Sequence, residues 1–143
     1  MQDIILKIMK QNDLAVLTTS TENQPHCSLM AFICDDKGHN IFMLTQKDSS
    51  KFRNISANPK VAVMIDTRTQ SPDRSSIKAL TVKGTCSPAQ SIDQDTLKEQ
   101  LLKQHPQLQG LAAQRDAIIL QIKAESFLLL DGVSDAYFME CNC

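Results

Sequence analysis

The segment from Ile41 to Asp66, IFMLTQKDSSKFRNISANPKVAVMID, constrains the fold more than any other part of the chain. Two β-rich runs flank a basic, hydroxyl-rich loop, a helix of about two turns and the breaker Asn58-Pro59. Thr45, Lys47, Ser49, Ser50 and Lys51 fall where that helix begins. Unpaired backbone amides, hydroxyls and ammonium groups at such a point can converge on a phosphate, which points to a phosphorylated cofactor. The simpler reading is that Asp48 or Ser49 only caps a surface helix.

At 143 residues the chain fits one domain spanning 1–143. That length buries roughly two-thirds of the unfolded surface in a single core. With a net charge of −1, and Lys and Arg spread along the chain, there is no broad basic face for nucleic acid. Tryptophan is absent and aromatics are scarce, so stacking platforms for bases lack their material. No segment approaches the roughly 20 apolar residues that span a bilayer, and no leader-like run opens the chain. The expectation is a cytoplasmic protein with no membrane or nucleic-acid partner. Five cysteines, Cys27, Cys34, Cys86, Cys141 and Cys143, form an odd, irregular set that does not read as a secreted disulfide framework. They are expected mostly as small buried hydrophobes, and Cys141-x-Cys143 alone is too little for a metal site.

Asp3 to Gln11 places Ile4, Ile5, Ile8 and Met9 at helical spacing. The run from Leu14 and the run from Pro25 to Cys34 form a hairpin across the polar STENQ stretch. In the second of these strands His26, Ser28, Met30 and Phe32 share one face and Cys27, Leu29, Ala31 and Ile33 the other, so both faces are expected to be covered. DDKGHN, with Gly38 able to take positive φ, turns the chain into the strand from Asn40. Further strands are expected over Lys60 to Asp66, Ile77 to Cys86, AIILQIKAESFLLLD, and Ala136 to Met139, with Gly84 marking a bulge or a close backbone approach. Ile92 to Gln104 reads as a helix, and Leu108 to Gln114 as a short helix or turn. Six or seven short antiparallel strands and two or three helices give a mainly β, α+β fold, a small Greek-key barrel with flanking helices.

The stretches LAVLTTSTENQPHCSLMAF, FMLTQKDSSKFRNISANPKVAVMID and LTVKGTCS, in that order over roughly residues 14 to 87, resemble the pyridoxamine 5'-phosphate oxidase-like, FMN-binding split-barrel family. The resemblance implies FMN, or another flavin or haem, as the ligand. It also implies a homodimer with the cofactor at the subunit interface. The flavin-lining strand would fall on Cys27, Ser28, Leu29 and Met30, the next strand's contribution on Leu44 and Thr45, and the phosphate grip on Ser49, Ser50 and Lys51. Physical chemistry singles out Lys51, since a phosphate ester needs short charge-assisted bonds at a helix start. Lys47, Arg53 and Lys78 are the cations that could assist it.

The resemblance also implies that the authentic pyridoxamine 5'-phosphate oxidases place an Arg and a Lys at the two ends of the flavin-lining strand, where this chain has Cys27 and Phe32. Vitamin B6 oxidation is therefore not the expected activity. The resemblance implies instead transfer of electrons from a nicotinamide or other donor to an unidentified small acceptor, or else a non-enzymatic module that binds FMN or haem for storage or sensing. His26, His39 and His105 stand apart from other ligands and read as structural or surface residues. Asp35-Asp36 reads as a solvated turn pair with no fixed partner, and no nucleophilic triad or Gly-rich phosphate loop is present in the sequence.

Overall fold

Glu22 and Asn23 both take positive φ, 51° and 63°, the conformation that lets a two-residue loop follow the twist of a hairpin. They join β1 (Leu14–Thr21) to β2 (Gln24–Ala31). The computed structural model describes residues 1–142, so that Cys143, and with it half of the Cys141-x-Cys143 motif, lies outside the described residues. α1 (Gln2–Lys10) precedes this hairpin. β3 (Ile33–Cys34), β4 (Asn40–Gln46), α2 (Ser50–Ala57), β5 (Lys60–Asp66) and β6 (Lys78–Pro88) follow. The chain then runs through α3 (Gln94–Gln104), α4 (Gln109–Ala112), β7 (Ala117–Asp131) and β8 (Asp135–Glu140).

All strand pairs are antiparallel, in the order β2-β1-β5-β6-β7-β4-β3, with β8 paired to β7 beyond the end of β4. The two ends of this path, β2 and β3, are separated in the chain only by Phe32, which is buried. The sheet therefore curls until its edges meet through one residue, leaving a split between β2 and β4. This is a mainly β, α+β split barrel with flanking helices, as the sequence implied. The described residues hold eight strands and four α-helices, more than expected, because the Pro25–Cys34 run breaks at Phe32 and Gln109–Ala112 within the expected short helix or turn is helical; β8 is the strand expected over Ala136 to Met139.

The barrel interior is filled from β1, β4, β5, β6 and β7 and by Phe32 at the joint: Leu17, Phe32, Ile41, Met43, Val63, Leu80, Val82, Ile122 and Leu129 are buried there. α1 plugs one end with Ile5, Ile8 and Met9, each burial stabilising the fold by roughly 1.5–3 kcal/mol. Alternate residues of β4 and β7, including Leu44 and Ile119, point outward into a second apolar cluster beneath α3 and α4. Gln94 fixes that helical layer, accepting from Ile119 N–H at 2.8 Å and donating to the carbonyls of Ala89 at 2.9 Å and Ile119 at 3.0 Å.

The expected covering of both faces of β2 is not found. Its residues from Gln24 to Cys27, and Leu29, are exposed, because β2 is an edge strand whose outer face has no helix above it. The irregularity at Gly84 is confirmed in a different form. The register shifts so that Lys83 faces Ser126 and Gly84 faces Ala124, which places the extra residue, Glu125, on β7. Gly84 itself lies so close to the Lys123 carbonyl that a Cβ would collide with it.

Candidate functional site

Thr45 ends β4 in the buried layer, and Ser49 caps α2 from extended backbone. The Ser49 hydroxyl accepts from Phe52 N–H at 3.1 Å and donates to the Gln46 carbonyl at 2.8 Å. Thr45 Oγ1 lies 3.4 Å from the same oxygen and, since the Ser49 proton is committed, is the donor of that pair. The capping role foreseen for Ser49 is therefore present, and the hydroxyl protons of Ser49 and Thr45 are both in use. Among the described residues no hydrogen bond engages the backbone N–H groups of Ser50 and Lys51, which stand in the first turn of α2, where the helix offers partial positive charge.

Two of the cations expected to assist are taken. Arg53 pairs with Asp48 at 3.1 Å and Lys78 with Asp131 at 3.3 Å. Among the described residues, neither Lys51 nor Lys47 forms an ion pair. Lys51 is half-buried and Lys47 exposed.

Lys51 lines a cavity of about 270 Å³ in the split. Leu29, Met30 and Ala31 of β2 form one wall; Leu44, Thr45 and Gln46 of β4 form the other, with Ser49 beside Lys51. Leu108 and Leu111, before and within α4, close it from outside. The fold thus brings together Leu29, Met30, Leu44, Thr45, Ser49 and Lys51, residues up to 22 apart in the sequence. Cys27, Ser28 and Ser50 are not part of this lining. Cys27 faces outward with its Sγ 3.5 Å from Thr18 Oγ1, Ser28 pairs with Leu17 on the barrel side, and Ser50 is exposed.

Sequence reading missed Leu108, Leu111 and Asp116. Asp116 binds the loop between β4 and α2 at three points, accepting from Lys47 N–H at 2.9 Å, Asp48 N–H at 3.1 Å and Gln46 Nε2 at 3.2 Å. A larger hollow of about 420 Å³ lies on the outer face beside Val16, Leu29 and Met64. Its cation, Arg68, is held by Asp66 at 2.9 Å, so it offers an anion less than Lys51 does.

Asp35 is not the solvated turn residue expected. It accepts from His39 N–H at 2.9 Å and Asn40 Nδ2 at 2.7 Å; burial alone would raise its carboxyl, but these bonds from Asn40 and His39 outweigh it and hold the group below its ordinary value. His105 is structural, buried with Nε2 2.9 Å from the Phe32 carbonyl, while His26 is exposed. Among the described cysteines Cys86 alone is fully buried, its thiol pushed up to about 12 by burial. Cys34 is half-buried and Cys27 exposed, against expectation. Among the described residues no group of His, Cys, Asp or Glu could hold a metal ion, and no helix is long and apolar enough to cross a membrane.

A curled antiparallel sheet, split beside a helix start and roofed by helices, defines a split-barrel protein. The chain belongs to the pyridoxamine 5'-phosphate oxidase family, whose model matches residues 1–130. A structure from Listeria innocua named as a candidate pyridoxamine 5'-phosphate oxidase is 25% identical, with a TM-score of 0.74 over 90% of this chain and 97% of that one. An FAD-binding protein from Mesorhizobium loti is 18% identical, with a TM-score of 0.73 over 90% and 93%. A haem storage protein from Vibrio cholerae is also 18% identical, with a TM-score of 0.73 over 92% and 94%; these last two likenesses concern the fold. A search of curated proteins finds no match.

Proposed function

We propose that the chain is a cytoplasmic FMN-binding flavoprotein, one domain over residues 1–143, that passes electrons from a nicotinamide or other donor to a small acceptor. The observation that carries this reading is Lys51, an unpaired ammonium at a helix start, at the edge of an otherwise largely apolar split. The donor set fits a phosphate ester: Lys51 and the unengaged N–H groups of Ser50 and Lys51 answer its charge, with Lys47 near by. Leu29, Leu44, Leu108 and Leu111 suit a flat, mostly apolar ring and keep water from it. When bound, the flavin supplies the two-electron chemistry, and the chain's residues bind, orient and dry it.

The partner we propose is a second copy of the chain. Leu29, Val16, Met64, Thr81, Leu128 and Phe138 stand directly opposite one another across six strands, on the face that α3 and α4 leave bare. Leu29 is 68% and Phe138 63% exposed, the ends of an apolar row broken only by Thr81, of the kind that twofold pairing covers. Leu29 also lines the split, so this row reaches the proposed cofactor site.

The second reading is a non-enzymatic module that holds FMN or haem. What favours a carrier is that among the described residues no Asp, Glu or His lines the split, so Lys51, assigned to the phosphate, is the one side-chain acid there. The missing histidine also ranks haem below flavin. Purified protein titrated with FMN, riboflavin and haemin tests the ligand: tight FMN and weaker riboflavin are expected, and equal affinities would remove the phosphate role. Anaerobic mixing with NADH or NADPH then separates enzyme from carrier, since only the former bleaches the oxidised flavin band promptly.

A further inference from the structure

We infer that Asp116 is a positioning residue for the anion seat, setting the chain's preference for phosphorylated over unphosphorylated ligand without touching either; the inference rests on the reading of Lys51 as a phosphate ligand. Asp116 sits just before β7, where Ala117 pairs with Gln46, so it is fixed to the sheet independently of α2. From there it accepts the backbone N–H groups of Lys47 and Asp48 and the amide of Gln46. Ser49 is tied to the same loop through its 2.8 Å bond to the Gln46 carbonyl, and Asp48 is tied to α2 through Arg53 at 3.1 Å. Apart from the Thr45–Ser49 contact, the polar constraints between the end of β4 and the first turn of α2 therefore run through residues that Asp116 holds.

A carboxylate this close to a site for anions opposes them by charge alone. Its contribution must then come from geometry: two acceptor oxygens and a carbonyl that fix where the N–H groups of Ser50 and Lys51, and the Lys51 stem, emerge. Losing the carboxylate would let water satisfy Asp48 N–H and the Gln46 amide, keep only the main-chain bond from Lys47 N–H to the Asp116 carbonyl, and leave the helix start unaligned with a ligand phosphate. An unphosphorylated ring, held by the leucines of the split, depends on none of this.

The full-length chain tests this with FMN and riboflavin, the affinity ratio being the readout that a merely structural role would not move. Asp116→Ala is expected to lower the FMN-to-riboflavin ratio by about fivefold to tenfold while riboflavin affinity holds. Asp116→Asn keeps one acceptor and should lose less; should Asp116→Ala not fold, a smaller fall of the same ratio in Asp116→Asn supports the inference in its place. A ratio that stays at the wild-type value, or that rises in Asp116→Asn as removal of a charge would make it, overturns the inference. So does a parallel loss of both affinities. A wild-type ratio near one defeats the anion-seat reading and this inference with it, whereas a wild-type preference for FMN that the variants retain defeats this inference alone.

Discussion

The His105 ring, buried at the end of α3, places Nε2 2.9 Å from the Phe32 carbonyl, at the residue where β2 gives way to β3. On the other side of the same residue, Phe32 N–H donates to the Asp13 carbonyl at 3.3 Å. Both backbone groups at the joint of the sheet are therefore satisfied, one of them by a side chain 73 residues away.

Removing the imidazole orphans a buried carbonyl. His105→Ala is expected to destabilise the fold by about 1–3 kcal/mol, read as a lower midpoint in urea unfolding with the slope unchanged. His105→Gln, which can restore a donor, should recover part of the loss. An Ala variant as stable as the parent would mean that water or a shifted backbone satisfies Phe32.

Among the described residues Lys51 is the sole cation lining the split. Lys51→Ala should weaken FMN by roughly 1.5–3 kcal/mol and leave riboflavin nearly unchanged, the worth of one charge-assisted bond in a partly dry site. Isothermal titration of both ligands checks this. A change of a few tenths for FMN would place the phosphate elsewhere.

Phe138 stands near one end of the exposed apolar row, opposite Leu128, and contributes nothing to the barrel interior. Phe138→Asp is therefore expected to leave the protomer folded while shifting the mass measured by light scattering at micromolar concentration from dimer to monomer. Wild-type protein already monomeric under those conditions would discard the proposed partner.

Asp35 supplies the acid-side prediction. Its folded carboxyl sits below the unfolded value of 3.8, so its contribution is complete above that pH and is lost as pH falls through the folded value. Asp35→Asn should therefore flatten the fall in stability below about pH 4, measured as urea midpoints across an acid series. An unchanged acid limb would mean that the bonds from His39 and Asn40 do not survive in solution.

The strands most legible in the sequence were those with chemical boundaries. β5 begins directly after Pro59, and β7 ends on Asp131 before Gly132, whose φ is +70°, so their limits matched to the residue. β2 misled at Leu29, which alternates with the buried Met30 and faces outward where no helix covers it. The cluster around Lys51 was legible because Leu44 to Lys51 are consecutive and the strand containing Leu29 follows a recognisable hairpin. Asp116 was not, since nothing in QRDA marks a carboxylate whose partners lie 68 and 70 residues earlier. Nor could spacing reveal that Ser49 and Thr45 spend their protons on each other and on Gln46.

The joint at Phe32 has one more consequence. An open sheet can ordinarily gape by splaying its free margins, but here the two margins are successive links of a single chain, pinned from both sides at a buried aromatic. At that joint the gap cannot open by parting its margins, so any widening must come from the far end of β2.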